Sequence, residues 1–353
     1  MDNQNNKAYT GDRADAVEKV TGKAKYTADH VIENVRYGVF VTSTIAKGSV
    51  KNMVLSKAKA SPGVLDIIYY LNCPAIPGYQ SKRQGFEWRG LKVFNDNIVH
   101  HYGQPLALVV ADTWENAVAA ARLVKPEYVT KEFETDFNKL RTVESKLKSR
   151  GQYSRGEKDA YKNAEVMVEA EYNIPIETHN PIEMHATIAR WDGDDKLLVY
   201  DKSQGPKGTQ RDLANCFGLD VQNVRVITEY VGAAFGNALR SWPHVLAACI
   251  AAKKLKQPVK VVLNRQQMFT MVGYRPYAWQ KMGMGASKDG KLTGITHHAI
   301  SNTSNYEDYT EGIVNASQYL YECPNVNTSY KILPLDLNTP TWMRGPGEAT
   351  GSF

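Results

Sequence analysis

Short apolar runs bounded by proline and glycine dominate the first third of the chain. "GVLDIIYYL" (63–71) and "PLALVVA" (105–111) are too short for ordinary helices and predict buried strands. The alanine-rich stretch 112–125 predicts a helix, and "EYVTKEF" (127–133) predicts a returning strand. Strand, helix and strand in this order indicate a compact α/β unit that ends near residue 130.

After residue 164 the pattern changes to longer strands, hairpins and two helices. The helix predicted over 208–220 ends around Gly218, which suits a left-handed C-terminal cap. The helix predicted over 242–257 has Pro243 in its first turn. Strands are predicted at 164–175, 223–230 and 259–263, and hairpins at 185–204 and 277–301.

The segment between these two pieces, 131–164, is dense in charge and poor in aliphatic residues. Such a composition favours an extended, solvated linker. The sequence therefore predicts an α/β fold divided into a first domain at 1–130, a charged linker at 131–164 and a second domain at 165–353.

Composition narrows the class of protein. The chain has 353 residues, of which 42% are hydrophobic and 23% charged, as in a globular protein with a real core. No apolar run reaches the length of a membrane span, and the polar N-terminus predicts no cleaved secretory signal. The net charge of +6 is spread out, so a solvated face is favoured over a nucleic-acid surface. The four cysteines form no CxxC pair, which argues against a zinc ribbon or an iron–sulfur cluster.

A loop of small residues, "GAAFGN" (232–237), follows the strand at 223–230. Free backbone N–H groups in such a loop can bind an anion. The glycine spacing fits neither the dinucleotide fingerprint nor a P-loop, so a tight structural turn and a ligand loop are equally favoured. Phe235, a large ring among small residues, is expected either to anchor the loop or to face a ligand.

Two other segments carry polar side chains of interest. Gln204 ends a predicted strand, where its amide can bond a ligand oxygen or close a turn. His297 and His298 are adjacent in a strand and point to opposite faces, which excludes a chelating pair. Local hydrogen bonds within a turn are favoured over a metal site for three residues whose spacing fits no metal motif, His179, Glu183 and His185.

Taken in order, the segments resemble the molybdenum-binding large subunit of the aldehyde oxidase and xanthine dehydrogenase family. "RADAVEKVTGKAKYTADH" (13–30) resembles its opening, and "HYGQPLALVVADTWENAVAAARLVKPEY" (101–128) resembles its α/β hammerhead domain. Three later runs resemble its first molybdopterin-binding domain: "VGAAFGNA" (231–238), "LYECPNV" (320–326) and "MRGPGEATGSF" (343–353). The resemblance thus implies a hammerhead domain followed by the first cofactor-binding domain.

The resemblance also implies roles for single residues. Gln204 matches the glutamine that bonds the apical oxo ligand of molybdenum, and Arg344 matches the arginine beside the metal. Phe235 and Gly236 match the pair whose backbone approaches the metal end of the cofactor, while Pro346 falls where the family lines its substrate pocket. Gln204, Phe235 and Arg344 are thus implied to surround the molybdenum without ligating it. Further cofactor contacts are implied for Gly205, Gly232, Ala233 and Ala234.

The implied activity is oxidation of aldehydes or N-heteroaromatic compounds with water as the oxygen source. Xanthine is disfavoured because "TSNYEDYTEG" (303–312) lacks a substrate-orienting arginine. The implied cofactor is molybdenum–molybdopterin in its cytosine dinucleotide form. An iron–sulfur small subunit and an FAD-carrying medium subunit are implied as partners, and the implied location is the cytoplasm, or the periplasm if a partner carries the export signal.

In the family, the large subunit continues for about as long again after the position of "GSF" (351–353). That second half supplies the catalytic glutamate, so we expect no catalytic residue here, a structural role for Glu348, and no turnover without the C-terminal half and the partner subunits. Two alternatives stay open. One is a non-catalytic relic or assembly module of the same fold, which Ala233 and Ala234 favour because the family loop is usually richer in glycine. The other is an unrelated phosphate-binding α/β protein.

Overall fold

The computed structural model describes residues 13–80 and 92–352. Within these ranges fifteen strands form three sheets. The strands are β1 Arg36–Thr42, β2 Gly48–Val54, β3 Val64–Tyr69, β4 Ile98–Val99, β5 Pro105–Ala111, β6 Lys125–Thr130, β7 Lys148–Arg155, β8 Val166–Ile174, β9 Ala186–Asp192, β10 Lys196–Asp201, β11 Val224–Ile227, β12 Val259–Val262, β13 Ala278–Ala286, β14 Leu292–Ser304 and β15 Val326–Leu335.

Most of the α-helices are short, and the two longest are α5 and α6, with 12 and 13 residues. They are α1 Ala16–Val20, α2 Ser56–Lys59, α3 Trp114–Ala121, α4 Phe137–Leu140, α5 Pro206–Phe217, α6 Pro243–Leu255, α7 Arg265–Thr270, α8 Ala316–Tyr319 and α9 Glu348–Gly351. Gly218 caps α5 with a φ of 69°, as predicted, because only a residue that tolerates the left-handed region ends a helix this way at little cost. Pro243 opens α6 at the position where its missing N–H is of no consequence.

The largest sheet has seven strands in the order β11-β10-β9-β12-β1-β5-β3. One part of it comes from residues 36–111 and the other from residues 186–262, and they join where β1 runs parallel to β12, with Arg36 opposite Val259. Three strands of the α/β unit predicted to end near residue 130 thus lie in one sheet with strands of the second piece. α6 lies against this sheet, and its residues 243–252 are all buried.

The second sheet has five strands in the order β7-β15-β14-β13-β8. β13 and β14 form the hairpin predicted from 277–301, and β14 pairs with β15 in parallel. Trp279 and Met282 lie at odd and even positions of β13, so their side chains emerge on opposite faces. This sheet presents one of its faces to α8 and α9, where His297 bonds Ser317.

The charged segment 131–164 is more structured than the linker that we predicted. It contains α4 and β7, and β7 is hydrogen-bonded along the edge of the five-stranded sheet. Most of its side chains are exposed all the same. An edge strand exposes one row of backbone groups and much side-chain surface, so it can be as charged as a solvated linker.

The small third sheet, β4-β2-β6, packs beside the first part of the large sheet. Residues 1–12 and Phe353, at the outer bounds of the two predicted domains, lie outside the described residues, and the division at 130 and 164 stays a prediction. Cys216 and Cys249 are buried in the largest apolar cluster, where thiols behave as small apolar groups. None of the helices in the described ranges combines the length and apolar character that crossing a bilayer needs.

Candidate functional site

A cavity of about 630 Å³ brings together three segments that are far apart in the sequence. Its lining comes from the end of the β9–β10 hairpin, from the small-residue loop and from the turn near residue 345. The lining residues are Gln204, Phe235, Gly236, Leu239, Trp342, Met343, Arg344 and Pro346. Five of these were predicted as site residues from the sequence.

The Gln204 side chain is oriented by the small-residue loop. Its Oε1 accepts hydrogen bonds from the backbone nitrogens of Gly236 at 3.0 Å and Ala238 at 3.3 Å. The Gln204 backbone nitrogen in turn donates to the Ala238 oxygen at 2.8 Å. Because the oxygen is engaged, the amide nitrogen is the group that the side chain offers to the cavity, and Gln204 acts there as a donor.

The loop begins at a close contact with Glu183. The Gly232 backbone nitrogen donates to Oε2 of Glu183 at 2.6 Å, and the Glu183 nitrogen donates to the Gly232 oxygen at 3.1 Å. A Cβ on residue 232 would lie 2.7 Å from Cβ of Glu183, so a side chain does not fit there. Burial raises the pKa of Glu183, while the Gly232 hydrogen bond opposes this shift by stabilising the carboxylate.

Two non-glycine residues of the loop adopt left-handed backbone angles. Ala233 has a φ of 67° and Phe235 a φ of 58°. Such angles cost an L-residue roughly 1–2 kcal/mol, and tertiary contacts must offset that cost. The path buries Ala234 and turns the Phe235 side chain outward, leaving it 46% exposed at the cavity. Of the two expected roles for Phe235, the structure thus has the ring facing the cavity.

The turn near residue 345 is bonded directly to the loop. The Arg344 backbone nitrogen donates to the Phe235 oxygen at 2.9 Å, and a Cβ on Gly236 would lie 2.4 Å from the Trp342 oxygen. Nε2 of His179 donates to the same Trp342 oxygen at 2.7 Å. The two segments therefore approach so closely that only glycine fits at position 236.

A buried arginine supports this turn from behind. Arg275 is 4% exposed and donates from Nη2 to the Arg344 oxygen at 2.8 Å and from Nη1 to the Gly345 oxygen at 3.3 Å. Its Nε bonds Glu177 at 2.7 Å, and Glu311 lies 4.0 Å from Nη1. The Arg344 side chain itself is exposed, and its guanidinium has no partner among the residues that the structure describes.

Beneath the end of β10 lies a buried group of titratable side chains. Oδ1 of Asp201 accepts from the Thr187 hydroxyl at 2.6 Å and lies 3.9 Å from Nε2 of His244. Burial raises the pKa of Asp201 to about 7 and lowers that of Lys202 to about 8. The pKa of His244 falls to about 3, again through burial, so this imidazole is neutral near pH 7.

The predicted site residues divide into two groups. Gln204, Phe235, Gly236, Arg344 and Pro346 line the cavity. Gly205, Gly232, Ala233 and Ala234 do not line it, and their contact with a cofactor stays a prediction.

The hydrogen bonding differs from one interpretation of the sequence and bears on another. Of the two alternatives for the small-residue loop, a ligand loop would leave backbone N–H groups free, and those of Gly232 and Gly236 bond protein oxygens. His179 and Glu183 were expected to bond within their own turn, but their partners are 163 and 49 residues away. Arg275 was missed altogether, because a lone arginine ahead of a strand carries no local signal of the turn it supports.

The resulting arrangement suits an anionic group attached to a flat organic body. It combines an oriented amide donor from Gln204, an exposed guanidinium from Arg344 and an apolar wall that includes Phe235. α5 begins at Pro206, two residues after Gln204, so the positive end of its dipole adds to the attraction for an anion.

Comparison with known proteins agrees with this description. Residues 140–353 match the family model of the molybdopterin cofactor-binding domain. Residues 21–132 match that of the aldehyde oxidase and xanthine dehydrogenase a/b hammerhead domain.

Three individual proteins illustrate the likeness. The aldehyde oxidoreductase molybdenum-binding subunit PaoC of Escherichia coli (strain K12) is 34% identical over 96% of this chain and 46% of its own length. The putative xanthine dehydrogenase molybdenum-binding subunit XdhA of the same strain is 28% identical over 95% of this chain and 47% of its own length. The crystal structure of the aldehyde oxidoreductase from Desulfovibrio desulfuricans superposes with a TM-score of 0.83 at 20% identity, over 96% of this chain and 40% of that one. The chain thus spans about half the length of the two Escherichia coli relatives.

Proposed function

This chain belongs to the aldehyde oxidase and xanthine dehydrogenase family, and on that premise we propose that it forms the N-terminal part of a molybdenum hydroxylase large subunit. The observation that carries the proposal is the cavity that both Gln204 and the exposed Arg344 line, with the amide nitrogen of Gln204 left for a ligand. The family assignment and this donor set point to the same anionic cofactor.

The residues of the cavity fit molybdenum–molybdopterin. When bound, this group supplies the redox chemistry that inserts oxygen from water into a carbon–hydrogen bond. Gln204 would donate a hydrogen bond to its metal end, and Arg344 would offset negative charge. The Phe235 ring would exclude water from that side, which strengthens both interactions.

The substrates that we propose are aldehydes or N-heteroaromatic compounds. Arg344 is the single charged residue among the described residues that line the cavity. Leu239, Trp342 and Pro346 make the remainder of the lining largely apolar, which suits an uncharged, flat substrate better than a highly polar one. Pro346 is the residue that we assign to the substrate side.

The partners in this proposal are the C-terminal half of the large subunit, an iron–sulfur small subunit and an FAD medium subunit, with the cofactor as its cytosine dinucleotide. An exposed apolar patch supports a protein partner. Its members lie on one face of the edge strand β8 and around α8, and are Val166, Val168, Tyr319, Leu320 and Tyr321. Contiguous apolar surface of this kind marks interfaces. In this scheme the catalytic glutamate belongs to the C-terminal half. The proposed location of the complex is the cytoplasm, and the alternative is the periplasm if a partner subunit carries the export signal.

The test is molybdenum and pterin analysis of this chain co-expressed with the protein encoded by the neighbouring reading frame. We expect stoichiometric molybdenum that Arg344→Ala and Phe235→Ala each reduce at least tenfold. Arg225→Ala, which removes an exposed arginine on β11, is the matched control and should leave the metal content unchanged. A folded, stable complex without molybdenum would favour the alternative, a non-catalytic relic or assembly module of the same fold.

A further inference from the structure

A second cleft, of about 540 Å³, lies on the face of the five-stranded sheet that carries Trp279. Its walls come from β7, β13, β14, β15 and the segment after α4, and it shares no lining residue with the Gln204 cavity. Its volume is within the range of roughly 300–1,000 Å³ that is usual for small-molecule sites. The residues that carry the argument are Arg141, Leu147, Lys158, Trp279, Ile300 and Lys331.

Arg141 is the best-positioned cation of this cleft. Its guanidinium carbon lies 4.7 Å from the centre of the Trp279 ring, and Trp279 is itself held by a 2.9 Å hydrogen bond from Nε1 to Glu171. Nε of Arg141 is buried and has no hydrogen-bond partner in the part of the chain that the structure describes. Within the described ranges no carboxylate pairs with this guanidinium. A stacked, half-buried and unpaired guanidinium is preorganised for an oxyacid group, which it can bond with two parallel N–H groups.

The charge of the remaining lining favours an anion as well. Lys158 is exposed and has no ion-pair partner among the described residues, while Lys331 bonds Glu144 at 2.5 Å. Glu144 is the one acidic residue of the described lining, and its side chain is 77% exposed, so solvent screens its charge. His298 adds a hydrogen bond to Ser329 at 2.6 Å but no charge, since burial lowers its pKa.

We propose that this cleft binds a small organic anion with one carboxylate or phosphate group on a compact apolar body. Arg141 receives the anionic group, with Lys158 and Lys331 adding to the attraction. Leu147 and Ile300 provide the apolar wall. The exposed apolar patch on β8 and α8 lies across the sheet from this cleft, because Val168 and Met282 face α8 whereas Trp279 faces away from it. A partner on that patch leaves the cleft open.

The test uses the full 353-residue chain and isothermal titration with four compounds: benzoate, phenyl phosphate, benzyl alcohol and inorganic phosphate. We expect saturable binding of benzoate, phenyl phosphate or both, with quenching of the Trp279 fluorescence. Benzyl alcohol, which lacks the charge, should bind at least tenfold more weakly. The better of the two organic anions identifies the oxyacid that the cleft prefers.

Arg141→Ala should weaken binding at least tenfold. The affinity of Arg141→Lys should lie between those of the parent chain and Arg141→Ala, because lysine keeps the charge and loses the planar fork. The control is Arg150→Ala, an exposed arginine of the adjacent strand that pairs with Asp308 outside the cleft and should bind normally. If Arg141→Ala does not fold, Lys158→Ala serves instead and should weaken binding about threefold. Three results would overturn the proposal: no saturable binding, equal loss in the control, or inorganic phosphate binding as tightly as phenyl phosphate.

Discussion

The side-chain oxygen of Gln204 lies 3.0 Å from the backbone nitrogen of Gly236. This one contact joins the end of the β9–β10 hairpin to the small-residue loop and decides which end of the amide faces the cavity. The oxygen is used inside the protein, so the nitrogen is left for a ligand. Gln204 is therefore a donor whose orientation exists before any cofactor arrives, and preorganised donors contribute most where negative charge must be held.

Replacing Gln204 by glutamate separates these two functions of the side chain. The carboxylate can still accept from Gly236, so we expect the free energy of unfolding to change by about 1 kcal/mol or less. The donor is lost and a like charge meets the cofactor, so molybdenum content should fall at least tenfold. Gln266→Glu, an exposed glutamine at the surface of α7, controls for the added charge. Normal metal content in Gln204→Glu would contradict the assigned role.

The left-handed conformation of Ala233 predicts an unusual stabilising substitution. Ala233→Gly should raise the free energy of unfolding by about 0.5–1 kcal/mol, because relief of the strain exceeds the entropic cost of glycine. Its neighbour Ala234 is buried and has no positive φ, so Ala234→Gly should instead lower stability by about 1 kcal/mol. Urea unfolding of the two variants should show opposite signs. If the free energy of unfolding changed with the same sign in both variants, the positive φ of Ala233 would not be a source of backbone strain.

Because Gly236 lies so close to Trp342, we predict that no other residue can replace it. Gly236→Ala puts a methyl group 2.4 Å from the Trp342 oxygen and also places a side chain at a φ of 112°. We expect a loss of at least about 2 kcal/mol of stability together with loss of the cofactor. Gly205→Ala is the matched control for stability alone, since the nearest atom to its Cβ is the Leu239 oxygen at 3.6 Å and its φ of −138° suits alanine. Thermal and urea unfolding with metal analysis would reveal both effects, and equal stability of the two variants would argue against the close approach.

Asp201 predicts a dependence of stability on pH. Its pKa of about 7 lies above the value of about 3.9 expected in the unfolded chain, so between these values the Asp201 carboxyl keeps its proton only in the folded chain. The contribution of Asp201 to the free energy of unfolding should therefore fall, by on the order of a few kcal/mol, as the pH rises from about 4 to about 7. Three histidines whose pKa burial lowers, His101, His244 and His297, act in the opposite sense over this range, so the quantity to measure is the difference between variant and parent. That difference should change with pH for Asp201→Asn and stay constant for Asp192→Asn, at the exposed end of β9. Lys202 acts in the opposite sense above pH 8, so the comparison belongs below that pH.

Arg275 does not line the cavity, but we predict that the cavity needs it, because it supports the turn near residue 345. Arg275→Met removes the donors to the Arg344 and Gly345 oxygens and leaves the buried Glu311 without its nearby cation. We expect a cost of about 3–5 kcal/mol, typical of an uncompensated buried charge, and a displaced turn that no longer holds molybdenum. In the double variant Arg275→Met with Glu311→Gln, part of the stability should return while the metal does not. Full recovery of metal in that variant would show that the hydrogen bonds to the turn are dispensable.

Much of the fold follows from local patterns of the sequence. The run at 105–111 matches the buried strand β5, and Pro243 and Gly218 mark a helix start and a helix end, because each of these signals depends only on neighbouring residues. The hairpins at 185–204 and 277–301 were also predicted correctly. The resemblance to the family could also be found without a structure, since a family motif depends only on residue types and their order along the chain.

What the tertiary structure decided are the relations between distant segments. Periodicity shows which face of β1 is buried but not that its neighbour is β12, and so it could not reveal that one sheet spans both halves of the chain. Composition marked the charged segment before residue 164 as solvated but not as the edge strand β7.

The same limit applies to the candidate site. The sequence by itself determined that Gln204, Phe235 and Arg344 are present in the family's order. It could not show that the Gln204 oxygen is already bonded to Gly236, that Glu183 holds the start of the loop, or that Arg275 supports the turn. Hydrogen-bond partners are chosen by distance in space, and a backbone N–H or carbonyl is the same in every residue type except for the missing N–H of proline, so no local sequence signal records which partner it finds.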